Sequence, residues 1–252
     1  MPDVSGIVLP ISYQYELAQA FHQLLTADLA AYESWLSTNG LQSLTHEEAP
    51  RAYSLSNLYV PKILVEGDRL SIQVPRIQFW VSMLPQYDTR EFLESALLGK
   101  VMAVGDAQSS VSFRISAIDN ISPVIYRDRM EYQTLSPIVV KALRNNGTLE
   151  YLSPTNPYFS EFMYEGLVER WENFYGRRFE GIRGFQFQLL APERRKAVNV
   201  GAGTPGATKV VSYMLKFRLE MDAELQEFAY ITGIGDDLEN GFGYIELLKK
   251  KK

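Results

Sequence analysis

The sequence contains no cysteine and only two histidines, His22 and His46, among its 252 residues. The absence of cysteine excludes disulfides and thiolate metal sites. No segment approaches the roughly 18 uninterrupted apolar residues of a membrane span, and the N-terminus lacks a basic region followed by an apolar run. We therefore expect a cytoplasmic protein that does not associate with membranes.

Length and composition are those of a soluble globular protein with one large or two small domains, since 46% of the residues are apolar and 22% are charged. The net charge of −5 does not suggest a nucleic-acid binder. Its distribution differs between the halves, however: residues 1–125 hold 7 Lys/Arg against 13 Asp/Glu, and residues 126–252 hold 18 against 17.

A basic cluster stands out within the second half and contains only two acids, Glu180 and Glu193. A local basic patch is typical of polyanion binding whatever the net charge, although a solvated surface remains the alternative. The cluster consists of Arg177, Arg178, Arg183, Arg194, Arg195, Lys196 and Lys209.

Hydrophobic periodicity in the first half predicts the order strand, helix, strand, strand, helix, strand. The helix begins at Glu16, carries apolar residues on one face as far as Leu36, and ends at Asn39-Gly40. Gly67 marks a hairpin turn between two strands. The other predicted elements are strands Val4–Tyr15, Leu55–Val65, Arg69–Pro75 and Val111–Ile121 and the helix Thr89–Leu98.

The second half repeats this order, with a loop between its two middle strands that contains Gly201, Gly203, Pro205 and Gly206. Two successive βαββαβ units predict an α+β fold of tandem ferredoxin-like repeats. Domains of 1–125 and 126–252 are expected, with the boundary near Pro123. The predicted elements are strands Arg129–Val139, Gly184–Leu190, Val210–Leu219 and Phe242–Leu248 and helices Pro157–Tyr175 and Asp222–Tyr230.

A glycine-rich segment from Gly233 to Gly243 joins the last predicted helix and strand. Its bare N–H groups could hold phosphate oxygens, although most such segments are simply tight turns. Three acids lie in it, Asp236, Asp237 and Glu239, but without the regular 12-residue spacing of a calcium loop we expect no metal there.

Four motifs in order carry a specific resemblance. They are Pro10-Ile-Ser-Tyr-Gln-Tyr15, Pro50-Arg-Ala-Tyr-Ser-Leu-Ser56, Leu135-Ser-Pro-Ile-Val139, and Phe228-Ala-Tyr-Ile-Thr-Gly-Ile-Gly235 with Gly241-Phe-Gly243. The chain resembles the CRISPR-associated endoribonucleases of the repeat-associated RNA-binding superfamily, which cut precursor CRISPR RNA within its repeats.

The resemblance implies metal-independent cleavage by the neighbouring 2′-hydroxyl, which leaves a 2′,3′-cyclic phosphate and a 5′-hydroxyl. Histidine can act as the general acid and as the general base, and a cation can stabilise the negative charge of the phosphorane. Aligned with the family, His22 occupies the usual tyrosine position, Ser37 the usual histidine position and Arg51 the usual lysine position. We predict His46 as principal acid or base, His22 as its partner and Arg51 as the cation.

RNA is expected to bind through the second half, since its basic side chains could contact phosphates. The acids between the glycines depart from the family's frequent lysine, so that segment could act through its backbone or be mainly structural. The predicted RNA-binding residues are Arg177, Arg178, Arg194, Arg195, Lys196, Lys209, Gly233, Gly235, Gly241 and Gly243.

Two other classes remain open. One is a non-catalytic subunit of the same superfamily that holds CRISPR RNA, favoured by Ser37 at the usual histidine position. The other is an unrelated tandem ferredoxin-like enzyme acting on a small anionic metabolite, which would need different motifs. The expected partners are CRISPR precursor RNA, other Cas proteins of an interference complex and a second copy in a homodimer, with no cofactor.

Overall fold

The computed structural model describes residues 7–41, 44, 51–84, 89–181 and 184–249. Five helices and fifteen strands are found in these ranges. The helices are α1 Gln14–Leu25, α2 Leu29–Thr38, α3 Thr89–Leu97, α4 Phe159–Tyr175 and α5 Ala223–Thr232. The strands of the first half are β1 Ile7–Pro10, β2 Tyr53–Leu55, β3 Ile63–Glu66, β4 Arg69–Ile72, β5 Val81–Met83, β6 Val101–Gly105 and β7 Ser110–Arg114. Those of the second half are β8 Arg129–Thr134, β9 Lys141–Leu143, β10 Leu149–Tyr151, β11 Gln186–Leu189, β12 Arg194–Val200, β13 Thr208–Met214, β14 Lys216–Glu220 and β15 Ile245–Leu247.

The second half is built on a four-stranded antiparallel sheet in the order β15-β8-β14-β11. Counted along the chain, the first strand lies between the fourth and the third, and α4 and α5 are the two connecting helices. This is the ferredoxin-like arrangement. Alternate side chains of β8 and β14 face the helices, and this face of the sheet forms the core. The buried side chains on it include Met130, Tyr132, Phe217 and Leu219.

The first half contains the same βαββαβ order with three additions, namely α2, the β3–β4 hairpin and one strand of the β6–β7 pair. Its strands are divided among three small sheets, β1-β4-β3, β2-β5 and β6-β7. The α+β fold with ferredoxin-like units is thereby confirmed. The division into domains of 1–125 and 126–252 stays a prediction. No described helix is both long enough and apolar enough to cross a lipid bilayer.

Several predicted boundaries were wrong for identifiable reasons. The predicted helix from Glu16 is two helices, because the Asp28 side chain accepts a hydrogen bond from Ala31 N at 3.0 Å and caps a new helix. The predicted strand Val4–Tyr15 is regular only over β1, and α1 already begins at Gln14. Gly40, at φ +75°, follows the end of α2 as predicted.

Three predicted strands also differ from the structure. Pro61 interrupts the predicted strand Leu55–Val65, since it cannot donate to a ladder, and β2 and β3 belong to different sheets. The predicted strand Val111–Ile121 ends at Arg114 and pairs with β6, which the periodicity missed. The predicted strand Val210–Leu219 is divided at Leu215, where the chain passes from the β12–β13 hairpin into the main sheet.

The segment Gly233–Gly243, called the glycine loop below, fastens the two halves together. Gly235 has φ +92°, and a Cβ there would lie 2.3 Å from Val139 O; Gly241 has φ +84°, and a Cβ there would lie 2.6 Å from Gln14 O in α1. The loop therefore touches the backbone of both halves at positions that admit no side chain. Helix α5, which precedes it, packs on β2 and β5, with Ser54 Oγ donating to Ile231 O at 2.9 Å.

We expect Gly235→Ala to destabilise the protein more than Gly203→Ala. Both glycines have positive φ, so each substitution carries about 1–2 kcal/mol of backbone strain. Only at Gly235 does the new Cβ also collide with backbone, which adds about 1–3 kcal/mol, whereas nothing lies within 4 Å at Gly203. Urea unfolding of the two variants measures the difference; equal free energies of unfolding would contradict the packing described.

Candidate functional site

A cluster of polar side chains lies where α1 meets the chain entering β2. Gln19 and His22 are three residues apart on α1 and therefore share a face. Arg51 and Tyr53 both reach that helix, Arg51 through Ala18 O and Tyr53 through His22. His22 Nδ1 lies 3.1 Å from the Tyr53 hydroxyl, and the Arg51 guanidinium lies 5.9 Å from the centre of the Tyr53 ring. The structure thus brings two of the predicted catalytic residues together.

His22 is half-buried, and its electrostatic surroundings favour the neutral imidazole. Burial, reinforced by the positive charge of Arg51, lowers the pKa of His22 from 6.5 to about 4. The ring also meets Tyr32 edge-on, with 6.5 Å between the ring centres. At neutral pH His22 is therefore unprotonated, which suits a proton acceptor and not a proton donor.

Tyr53 is the other half of this pair, and it is buried. Burial raises its pKa above the ordinary value of 10, so its hydroxyl stays protonated at neutral pH. A neutral imidazole carries one proton on one of its two nitrogens. If Nδ1–H donates to the Tyr53 oxygen, Nε2 keeps a free lone pair; if the hydroxyl donates to Nδ1, Nε2 carries the proton. The direction of the hydrogen bond between His22 and Tyr53 therefore determines whether Nε2 of His22 can accept a proton or donate one.

Arg51 links this cluster to the glycine loop. Its Nη1 donates to Glu239 O at 2.8 Å and to Ala18 O in α1 at 3.3 Å, and its Nη2 donates to Gln19 Oε1 at 3.4 Å. Gln19 Nε2 also donates to Glu239 O, at 3.4 Å. The predicted cation thus holds the loop against α1, in addition to any contact with a ligand.

His46 lies outside the described residues, so its pairing with His22 stays a prediction. Ser37, which the resemblance aligned with the usual histidine position, lies exposed near the end of α2.

Two acids of the glycine loop, Asp236 and Asp237, are held by Lys141. Asp236 Oδ2 accepts from the backbone N–H of Lys141 at 2.6 Å, and Asp237 Oδ1 forms an ion pair with Lys141 Nζ at 2.6 Å. Burial raises the pKa of Asp236. Burial is the largest single influence on Lys141 and lowers its pKa, but the hydrogen bond with Asp237 and the negative charges of Asp237, Asp236 and Glu239 together outweigh it, so the net shift of the pKa is upward. These acids therefore oppose a bound phosphate less than their formal charges indicate.

Three of the four predicted RNA-binding glycines use their N–H groups within the protein. Gly233 N donates to Ala229 O, Gly241 N to Leu238 O and Gly243 N to Pro137 O. All three are buried. The bonds favour a structural role for the loop over a phosphate cradle at these positions, and a role of Gly235 in RNA contact stays a prediction. In the described part of the chain, no group of three or more His, Cys, Asp or Glu side chains could hold a metal ion.

The basic cluster is split by the fold. Arg194 and Lys196 lie on one face of the β12–β13 hairpin, together with the buried Val198 and Val200, which pack on Phe242 of the glycine loop. Arg195 lies on the other face. The cross-strand pairing Asn199↔Lys209 places Lys209 on the Arg195 face. All four basic side chains are exposed.

Arg177 lies at the opposite end of α5. It pairs with Glu224 in the first turn of that helix at 3.2 Å, and its guanidinium stacks 4.5 Å from the centre of the Trp171 ring. Since α5 is about 15 Å long, Arg177 is separated by that distance from the glycine loop, which follows the other end. Arg178 is exposed beside it, and Arg183 lies outside the described residues. The six described basic residues therefore do not form one patch with the loop.

Sequence reasoning missed Tyr53 and Gln19. The signals were present: Tyr53 follows Arg51 by two residues in the motif Pro50–Ser56, and Gln19 precedes His22 by three on a predicted helix. What could not be predicted was the distance between the helix and the strand, which depends on tertiary packing.

Two ferredoxin-like units with a glycine loop after the second unit's last helix define a tandem ferredoxin-like protein. A family model described as the C-terminal part of the CRISPR-associated protein Cas6 matches residues 120–247, just over half of the chain. The chain therefore belongs to the Cas6 family, as its motifs indicated.

Three solved structures have the same fold. One, described as the characterisation of a Cas6-related gene from Pyrococcus furiosus, is 18% identical with a TM-score of 0.78 and covers 98% of this chain and 95% of that one. A CRISPR-associated protein Cas6 is 22% identical, with 97% and 95% covered and a TM-score of 0.73. A RAMP protein binding different RNA substrates is 20% identical, with the same coverage and a TM-score of 0.74. No curated protein sequence matches the chain.

The low pKa of His22 can be measured directly. Because the chain has two histidines, His46→Asn leaves a single imidazole in the NMR spectrum, and its titration should show a pKa near 4. Arg51→Gln should raise that pKa, since it removes the repelling positive charge, but not to 6.5, because burial remains the larger cause. A titration midpoint near 6.5 in the protein that retains Arg51 would contradict the burial of His22.

Proposed function

We propose that this chain is a metal-independent endoribonuclease that acts in the cytoplasm and cleaves CRISPR precursor RNA within its repeats. Membership of the Cas6 family supports the substrate class. The observation that carries the proposal is the His22–Tyr53–Arg51 cluster, which holds an unprotonated imidazole and a cation at the junction of α1 and the glycine loop. These are groups that cleavage by an internal hydroxyl needs.

In the proposed reaction the 2′-oxygen of one nucleotide attacks the adjacent phosphorus. The base takes the 2′-hydroxyl proton, the bond from phosphorus to the 5′-oxygen breaks, and the acid protonates that leaving oxygen. The products are a 2′,3′-cyclic phosphate and a 5′-hydroxyl. Arg51 stabilises the additional negative charge on the phosphorane.

The low pKa of His22 supports giving the two histidines different roles. An imidazole with a pKa of about 4 is almost entirely neutral at pH 7, so we assign it the base. That role requires the tautomer in which Nδ1–H donates to Tyr53 and Nε2 faces the substrate. The acid is assigned to His46. Tyr53 is thereby a positioning residue, which keeps the lone pair on the correct nitrogen.

The alternative is a non-catalytic subunit that holds CRISPR RNA within an interference complex of other Cas proteins. Two observations favour it: a half-buried imidazole hydrogen-bonded to a buried tyrosine also serves packing, and an exposed Ser37 stands at the family's usual histidine position. A protein that binds its repeat RNA but never cuts it would establish this alternative.

His22→Ala should slow single-turnover cleavage of the chain's cognate repeat RNA by at least about 10²-fold in the presence of chelator, with RNA affinity nearly unchanged. His46→Ala should do the same. A 2′-deoxy substitution at the cleavage position should abolish cutting and preserve binding, because it removes the nucleophile.

Gln23→Ala is the matched control, since Gln23 is the exposed neighbour of His22 on α1. It should cut at the wild-type rate. Wild-type rates in both histidine variants and in their double mutant would exclude histidine catalysis. A 5′-phosphate on the product would exclude attack by the 2′-hydroxyl.

RNA binding is proposed to depend on the β12–β13 hairpin more than on the residues after α4. Replacing Arg194, Arg195 and Lys196 with Ala should reduce the dependence of log affinity on log salt by about 2, if all three contact phosphates of single-stranded RNA. The Arg177→Ala/Arg178→Ala double variant should reduce it less, because Arg177 is already paired with Glu224. The measurement is affinity over a salt titration; the opposite ranking would place the RNA near α4.

A further inference from the structure

The strand β3 exposes apolar side chains on both of its faces. The exposed fractions are 45% for Ile63, 51% for Leu64 and 51% for Val65. The sheet order β1-β4-β3 makes β3 an edge strand, since within the described residues it pairs with β4 alone. An exposed apolar edge is a template for another strand, and soluble proteins usually cover it or blunt it.

The backbone polarity of this edge follows from the hairpin register. Gln73 N donates to Lys62 O at 3.0 Å, and Leu64 and Glu66 lie opposite Ser71 and Arg69. Because the direction of N–H and C=O alternates along an antiparallel strand, residues 62, 64 and 66 direct these groups to β4. The N–H and C=O groups of Ile63 and Val65 therefore point away from the sheet.

The sequence of this strand is complementary to itself when read in the opposite direction. In Lys62-Ile-Leu-Val-Glu66, an antiparallel copy centred on Leu64 places Lys62 opposite Glu66, Ile63 opposite Val65, and Leu64 opposite its own copy. The same register pairs the outward backbone groups of Ile63 with those of Val65, as a hydrogen-bonded pair requires. A shift by one residue would oppose outward groups with inward ones, and a shift by two would separate Lys62 from Glu66, so backbone polarity and charge together select one register.

We propose that β3 pairs with β3 of a second copy across a two-fold axis at Leu64, joining two three-stranded sheets into one of six strands. Four backbone hydrogen bonds between Ile63 and Val65 and two Lys62–Glu66 ion pairs form across the axis. The interface is isologous, so each residue and its partner exchange roles between the copies. The proposal does not depend on the proposed catalysis.

Charge variants test the register by sedimentation over a range of protein concentrations. The wild type should form a dimer. Lys62→Glu places an acid at position 62 opposite Glu66 of the other copy, and this happens at two places in each dimer. The repulsion should move the monomer–dimer midpoint to a protein concentration at least about tenfold higher. Glu66→Lys should do the same by opposing two lysines. The double swap, Lys62→Glu with Glu66→Lys, restores opposite charges and should restore the dimer.

Mixing the Lys62→Glu and Glu66→Lys variants is the most specific test of the register. In a homodimer of either variant, the residues at positions 62 and 66 that face each other carry the same charge. In this register alone, the two variants together place opposite charges at both positions. The mixture should therefore form a heterodimer at concentrations where each variant is a monomer. Thermal unfolding checks that the variants fold, since Glu66 also faces Arg69 within the hairpin. Leu64→Lys, which leaves those pairs intact, should also weaken the dimer. A monomeric wild type, a dimer unaffected by Lys62→Glu, or a mixture that stays monomeric would overturn the proposal.

Discussion

The close approach of glycine backbone to the rest of the fold is the constraint on which this structure depends. At Gly235 and Gly241 the chain passes so near to Val139 O and Gln14 O that a Cβ would overlap them, and both residues need positive φ. One contact lies in each half of the molecule. The loop therefore fixes α1 relative to the second ferredoxin-like unit, and α1 carries His22 and Gln19. The glycine loop is thus a joint that positions the candidate site, and its role in RNA contact stays a prediction.

Cations are arranged around that joint so that its polar groups remain satisfied. Arg51 holds Glu239 O from the first half, and Lys141 holds Asp237 from the second. Arg170 is half-buried and donates to Gly233 O at 2.8 Å at the C-terminal end of α5, where the helix dipole favours positive charge. Burial lowers the pKa of Arg170 to about 10, so it remains charged at neutral pH. Asp236 and Asp237 thus have internal hydrogen-bond partners, while Arg51 contacts the backbone of Glu239 and not its carboxylate.

The fold could be predicted from the sequence largely because its helices and turns carry local signals. Thr89–Leu97 and Phe159–Tyr175 follow apolar periodicity, and Gly67 and Gly40 take the left-handed conformations that a hairpin turn and a helix end require. The sequence did not predict which strands belong to the same sheet. The break at Leu215 arises because Thr134 Oγ1 accepts from Leu215 N at 2.9 Å while the strand changes sheets, a contact 81 residues apart in sequence. Alternation within one strand contains no information about such a partner.

The same limit applied to the candidate site. Residue type identified His22 and Arg51, but Tyr53 could be identified only from the distance between α1 and β2. That neighbour changes the chemistry of the site, because an isolated histidine titrates near neutrality and can serve as acid or base, whereas burial beside Tyr53 and Arg51 keeps His22 neutral. Its proton then depends on which of two hydrogen-bond partners donates. The Tyr53 hydroxyl stays protonated at neutral pH, so the direction of its hydrogen bond with Nδ1 fixes which nitrogen of His22 carries the proton, a control that arises from packing and not from residue type.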